Sequence, residues 1–95
     1  EGVERGFHAH INLKQICITV KGSCTFVLDD GHKREEIKLD NPNQGLFIEG
    51  LIWREMKNFS KDCVLLVIAN EHYNESDYIR YYDKFLKEVK NDYML

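Results

Sequence analysis

The run Arg5-Gly6-Phe7-His8-Ala9-His10 sets two imidazoles two residues apart. In an extended strand, side chains at i and i+2 project from the same face. With residues 7–10 extended, His8 and His10 aim side by side into one space. Paired imidazoles suit two kinds of chemistry, holding a metal ion or moving a proton near neutral pH. A catalytic metal centre needs about three or four protein ligands, often with a carboxylate among them. The candidates to complete such a set are poor. Gln15 is a weak ligand, Met56 suits only a soft metal, and Arg54 would oppose a cation. No metal and no cofactor are therefore expected. General acid–base work by His8 and His10 is the favoured reading, with two non-catalytic cavity-lining histidines as the alternative. His32 and His72 fall in a turn and a loop and read as solvated surface.

The elements that must position this pair follow from periodicity. Gln15 to Lys21 reads as a strand, with Ile16, Ile18 and Val20 on one face and Gln15, Cys17 and Thr19 on the other. Cys24 to Leu28 is a second strand, and Asp29-Asp30-Gly31 is a hairpin signal. Lys33 to Leu39 alternates charged residues with Ile37 and Leu39, as a strand with one wet face does. Leu46-Phe47-Ile48 and Leu51 to Lys57 are further strands, separated by Glu49-Gly50. Cys63 to Ala69 is apolar on both faces, which implies burial on both sides, inside the fold or at a dimer contact. From Ser76 the period changes. Tyr78, Ile79, Tyr82, Phe85, Leu86 and Val89 recur at three- and four-residue steps. This spacing predicts an amphipathic helix over about 76–90, N-capped by Ser76 with Asp77 in its first turn, followed by a frayed tail from Asn91 to Leu95. Short strands followed by one helix, with no βαβ alternation, give a mainly β fold: a small antiparallel barrel or jelly roll closed by a C-terminal α-helix.

The bulk properties bound the possibilities. Ninety-five residues, 43% apolar and 31% charged, make one domain with a modest core. The net charge of -3 argues against nucleic acid as a partner. No apolar run approaches the length of a membrane helix, so no membrane role is expected. Cys17, Cys24 and Cys63 are odd in number and form no CxxC pair; they read as buried free thiols of a cytoplasmic protein. Because the chain opens at Glu1 with the histidine motif almost at once, a segment is expected upstream.

Gly2, five residues, His8-x-His10, four residues, Gln15, six residues and Gly22 resemble the first cupin motif, with Gln15 where a Glu is usual. The second cupin motif would place a third histidine in the strand Leu51–Lys57, which carries Arg54 and Met56 instead. More specifically, the chain resembles the sugar-nucleotide 3,4-ketoisomerases of the cupin superfamily, the WxcM-like group. The matching pieces are Arg5 to His10, Leu28-Asp29-Asp30-Gly31, Gly45-Leu46-Phe47-Ile48, Ile52-Trp53-Arg54-Glu55 and Tyr73-Asn74-Glu75-Ser76-Asp77-Tyr78-Ile79-Arg80. Three departures stand out: Ile11 where the family has a lysine, Glu49-Gly50 where it has two prolines, and no N-terminal strands before the histidines. In the family those strands help bind nucleotide and can be exchanged between subunits.

The resemblance implies a cupin-like domain over residues 1–95 and an isomerase acting on a dTDP-4-keto-6-deoxyhexose. It would move the keto group from C4 to C3 through an enediol in deoxysugar synthesis for polysaccharide. His10 is then the main proton shuttle and His8 its partner. The substrate's pyrophosphate needs cations, and a guanidinium matches phosphate oxygens in pairs. Arg5 is the first choice and Arg54 the second, with a buried ion pair to Glu35 or Glu55 as the alternative for Arg54. Gln15 is placed to hydrogen-bond sugar or base. A homodimer is expected. The competing reading is a non-catalytic sugar-nucleotide-binding or dimerisation module of the same fold; a metal-dependent oxygenase is disfavoured by the missing third ligand.

Overall fold

The computed structural model describes residues 2–93. In chain order the strands are β1 (Arg5–His10), β2 (Gln15–Lys21), β3 (Cys24–Asp29), β4 (Arg34–Leu39), β5 (Leu46–Ile48), β6 (Trp53–Lys57), β7 (Val64–Ala69) and β8 (Tyr78–Ile79), followed by helix α1 (Tyr82–Tyr93). They form two antiparallel sheets, a five-stranded one in the order β4-β3-β6-β1-β8 and a three-stranded one in the order β5-β2-β7. This is the mainly β fold that the alternating strands and their turn signals imply, and the cupin type that the family resemblance implies.

Strand alternation builds three layers. One face of the five-stranded sheet meets the small sheet, and Cys24, Phe26 and Leu39 bury there against Cys17 and Ile48. Its other face carries Ala9, Trp53 and Ile79, which pack under Phe85 and Val89 of α1. Each inward large side chain contributes on the order of 1.5–3 kcal/mol. Asp29, 4% exposed, ties the hairpin to the helix. Its carboxylate accepts from Tyr82 Oη at 2.6 Å, from Arg34 Nη2 at 3.0 Å and from the Gly31 N–H at 2.7 Å. These bonds hold the carboxyl below the usual carboxylate range against the cost of its burial.

The segment from Ser76 differs from the helix that its periodicity predicts. Glu75–Asp77 forms a single 3-10 turn, and the cap is Asn74, whose side chain accepts from Ser76 N. Tyr78 and Ile79 then extend and pair with His10 and Ala9. The helix begins only at Tyr82 and runs to Tyr93, so Asn91 belongs to it; Met94 and Leu95 lie outside the described residues. The physical reason is competition. The free edge of β1 offers Tyr78 and Ile79, both good strand formers, ladder bonds and a buried slot for Ile79.

β2 is extended as expected, but its apolar face points outward. Cys17 and Thr19 are buried, whereas Ile16 is 38% and Val20 45% exposed. β7 lies at the edge of the small sheet, with Val64, Leu66, Val67 and Ile68 all exposed. Burial of this strand inside the fold is thus excluded. Cys17 and Cys24 are free and buried and Cys63 is free and partly buried; burial raises the Cys17 thiol to about 11 and the Cys24 thiol to about 12.

Candidate active site

A bulge in β1 aims the histidines. Gly6 pairs with Glu55 and His8 with Arg54, and the register shifts between them. The extra residue, Phe7, is thrown outward at φ 54° and is 41% exposed. Gly6 sits at φ 89° with backbone pressed close; a Cβ there would lie 2.9 Å from the Arg54 carbonyl oxygen. Past the bulge, His8 and His10 share a face, with ring centroids 4.8 Å apart and planes at 82°. Tyr78 packs on both, 5.1 Å from His8 and 4.2 Å from His10.

The two imidazoles differ in surroundings. His8 is half-buried and His10 fully buried. His10 forms part of the wall of a cavity of about 670 Å³. The rest of that wall is Asn12, Leu13, the end of β7 at Ala69, the loop from Asn70 to Asn74, Asp77 and Tyr78. Loss of solvation, then the charge of Arg54, pushes His10 down to about 4, with Asp77 pulling the other way. His8 is lowered for the same leading reason, opposed by a hydrogen bond to the Gly6 backbone. Both rings are therefore neutral near pH 7, and His10 titrates well below the neutral range that a free imidazole suggests.

Arg54 is 1% exposed, between the sheets. It meets neither Glu35, which pairs with Lys33, nor Glu55, which pairs with Arg34. Its Nη1 donates to Gln15 Oε1 at 2.6 Å and its Nη2 to the Ile52 carbonyl at 3.0 Å. Among the described residues its Nε has no partner. Burial lowers its pKa to about 10, which still leaves it charged. His8, Gln15 and Arg54 stand outside the wall of the His10 cavity, but Gln15 and Arg54 are brought together, with Arg54 paired across from His8. Arg5 lies apart from them: it is exposed at the opposite end of β1, across from Met56, and is no part of the cavity wall. Among the described residues, no group of three or more His, Cys, Asp or Glu side chains is placed to hold a metal ion.

Several wall residues escape the sequence reading. Asp77 reads there as a helix-dipole residue, and Tyr78 as part of a helical stripe; His72 is exposed as expected but also borders the cavity. The signal for Asp77 and Tyr78 lay in the Glu-Ser-Asp-Tyr-Ile-Arg run, whose Tyr-Ile pair favours extended backbone.

Over residues 1–90 the chain matches the family described as FdtA: WxcM-like, C-terminal. It is 49% identical over 85 residues to a TDP-4-oxo-6-deoxy-alpha-D-glucose-3,4-oxoisomerase of Aneurinibacillus thermoaerophilus, covering 90% of this chain and 61% of that protein. A 3,4-ketoisomerase from Helicobacter canadensis superposes with a TM-score of 0.91 at 50% identity, over 94% of this chain and 67% of the other. A mutant of the 3,4-ketoisomerase QdtA from Thermoanaerobacterium thermosaccharolyticum, in complex with TDP-4-keto-6-deoxyglucose, superposes at 0.93 and 41% identity, over 98% and 67%. The chain therefore spans about three fifths of its curated relative's length. A family match along nearly its whole length, the HxH strand and the cupin-type pair of sheets agree: this chain belongs to the WxcM-like, C-terminal family.

Proposed function

We propose that this chain carries the proton-transfer site of a sugar-nucleotide 3,4-ketoisomerase. The substrate is a dTDP-linked 4-keto-6-deoxyhexose, whose keto group moves from C4 to C3. The observation that carries this reading is a neutral, buried imidazole, His10, at the wall of a cavity of about 670 Å³ with a second imidazole 4.8 Å away. The reaction removes a proton from C3, passes through an enediol and returns a proton to C4. A neutral ring can take the first proton and deliver the second. His10 is the shuttle, and His8 orients it or handles a hydroxyl proton. Arg54, buried and without a carboxylate partner among the described residues, favours the negative charge that develops on the enediol oxygens. Gln15, bound to Arg54, contacts sugar or base. Arg5 at the far end of β1 serves the diphosphate. The relatives named above support the substrate class.

The exposed apolar face of β2 and β7 supports a homodimer, and the cytoplasm is the proposed location. No helix among the described residues is long and apolar enough to cross a membrane.

The test is solvent deuterium incorporation at C3 or C4 of dTDP-4-keto-6-deoxyglucose by the full-length protein. Exchange is expected in the natural protein, and its loss, with nucleotide affinity kept, in His10→Ala. Full exchange in His10→Ala would remove His10 from the base role. Nucleotide binding without any exchange in the natural protein favours the non-catalytic module.

A further inference from the structure

We propose that Asp77 is the positioning residue of this site, fixing the proton of His10 on Nδ1 so that the Nε2 lone pair serves as the base. The inference rests on the isomerase reading for its catalytic consequence, but its geometry stands apart from it. Asp77 arrives beside His10 because β8 pairs with β1, with Tyr78 opposite His10. Its backbone carbonyl accepts from the Ile11 N–H at 3.1 Å. Its carboxylate is then pinned from two sides. Oδ1 accepts from the Asn12 N–H at 2.8 Å and Oδ2 from the Leu13 N–H at 3.1 Å. A carboxylate held by two backbone donors cannot swing away, yet it keeps acceptor capacity. Oδ2 lies 3.5 Å from His10 Nδ1, within ion-pair range and slightly long for a hydrogen bond.

The remaining neighbours of the ring leave few alternatives. His8 and Tyr78 both meet it edge-on, at 4.8 and 4.2 Å between ring centroids, and Arg54 acts on it as a positive charge. Of the groups shown against His10, the Asp77 carboxylate is the acceptor within reach. A ring N–H facing a carboxylate is favoured over a lone pair facing one, and the tautomer follows from that choice. Both ring nitrogens are buried and neither makes a hydrogen bond among the described residues. What distinguishes them is the Asp77 carboxylate 3.5 Å from Nδ1, which leaves Nε2 as the nitrogen for a ligand proton. When the ring gains a proton, the same carboxylate offsets the repulsion from Arg54.

The test combines a spectroscopic and a kinetic readout on the full-length protein. Long-range proton–nitrogen NMR of the imidazoles should find His10 protonated at Nδ1. In Asp77→Asn the amide N–H₂ faces the ring, so the proton should move to Nε2. The rate of deuterium exchange at C3 should fall by about 100-fold or more in kcat, with KM within about threefold. A His10 ring protonated at Nε2 in the natural protein overturns the proposal, and this measurement does not depend on the variant folding. An unmoved tautomer in a folded Asp77→Asn overturns it as well. A natural protein with the Nδ1 proton and no exchange supports the positioning role while removing the isomerase reading.

Discussion

At the scale of single residues, the site is governed by what surrounds His10 rather than by the imidazole itself. Its pKa falls to about 4 because burial and Arg54 act together against one carboxylate. Two consequences follow. First, the acid limb of kcat/KM for exchange should lie below pH 6.5, and Arg54→Met should move it upward by removing a nearby positive charge. A limb at or above pH 7 in the natural protein would assign it to another group. Second, folding stability should depend on pH in a defined window. The unfolded ring binds protons with a pKa near 6.5, the folded one near 4. Its contribution is fully present above about pH 6.5 and is lost as pH falls towards 4, by up to about 3 kcal/mol at about 1.4 kcal/mol per unit. His8, also lowered, adds to the same trend. Denaturant unfolding across this range should show the slope, and His10→Gln should flatten it.

At the scale of elements, two contacts at the β3–β4 hairpin add to the Phe85 and Val89 packing that holds the helix to the sheet. Gly31 lies at φ 95° in the β3–β4 turn, where an added Cβ would stand 2.7 Å from Val89 Cγ1. Gly31→Ala combines left-handed strain with a clash against a core residue of α1. A loss of about 1–3 kcal/mol is expected in urea unfolding. Tyr82→Phe removes the hydroxyl that donates to the buried Asp29 carboxylate at 2.6 Å. The expected cost is about 1.5–3 kcal/mol, since the acceptor is charged and buried. A loss below about 0.5 kcal/mol would mean that water replaces the phenol there. Neither variant touches the His10 cavity, so the exchange rate of the folded fraction should stay near that of the natural protein.

At the scale of the whole molecule, the distribution of apolar surface is uneven. Phe47, Ile16, Val20, Val64, Leu66 and Ile68 form an exposed apolar stripe across β5, β2 and β7, in register from Phe47↔Ile16 to Ile16↔Ile68. Apolar patches of this kind, along an unpaired sheet edge, mark association surfaces. In the proposed dimer, Leu66→Glu should halve the mass seen by light scattering without lowering the secondary-structure content. A monomeric natural protein would remove this reading, and a variant that stays dimeric would place the contact on another face.

Period-two alternation and turn residues were enough to locate β2 to β7 and the mainly β class, because each strand needs only local extension and one buried face. The HxH spacing put two imidazoles side by side for the same local reason, and the ordered motifs carried the family. Other features needed the assembled fold. Which face of β2 is inward depends on the polar group it must meet, here Gln15 with Arg54. Whether Tyr78 and Ile79 extend or coil depends on the free edge of β1, more than sixty residues away. Asp77 became a neighbour of His10 only through that pairing. Local spacing decides what a segment can form; long-range pairing and desolvation decide which side chains meet and at what pH they carry charge.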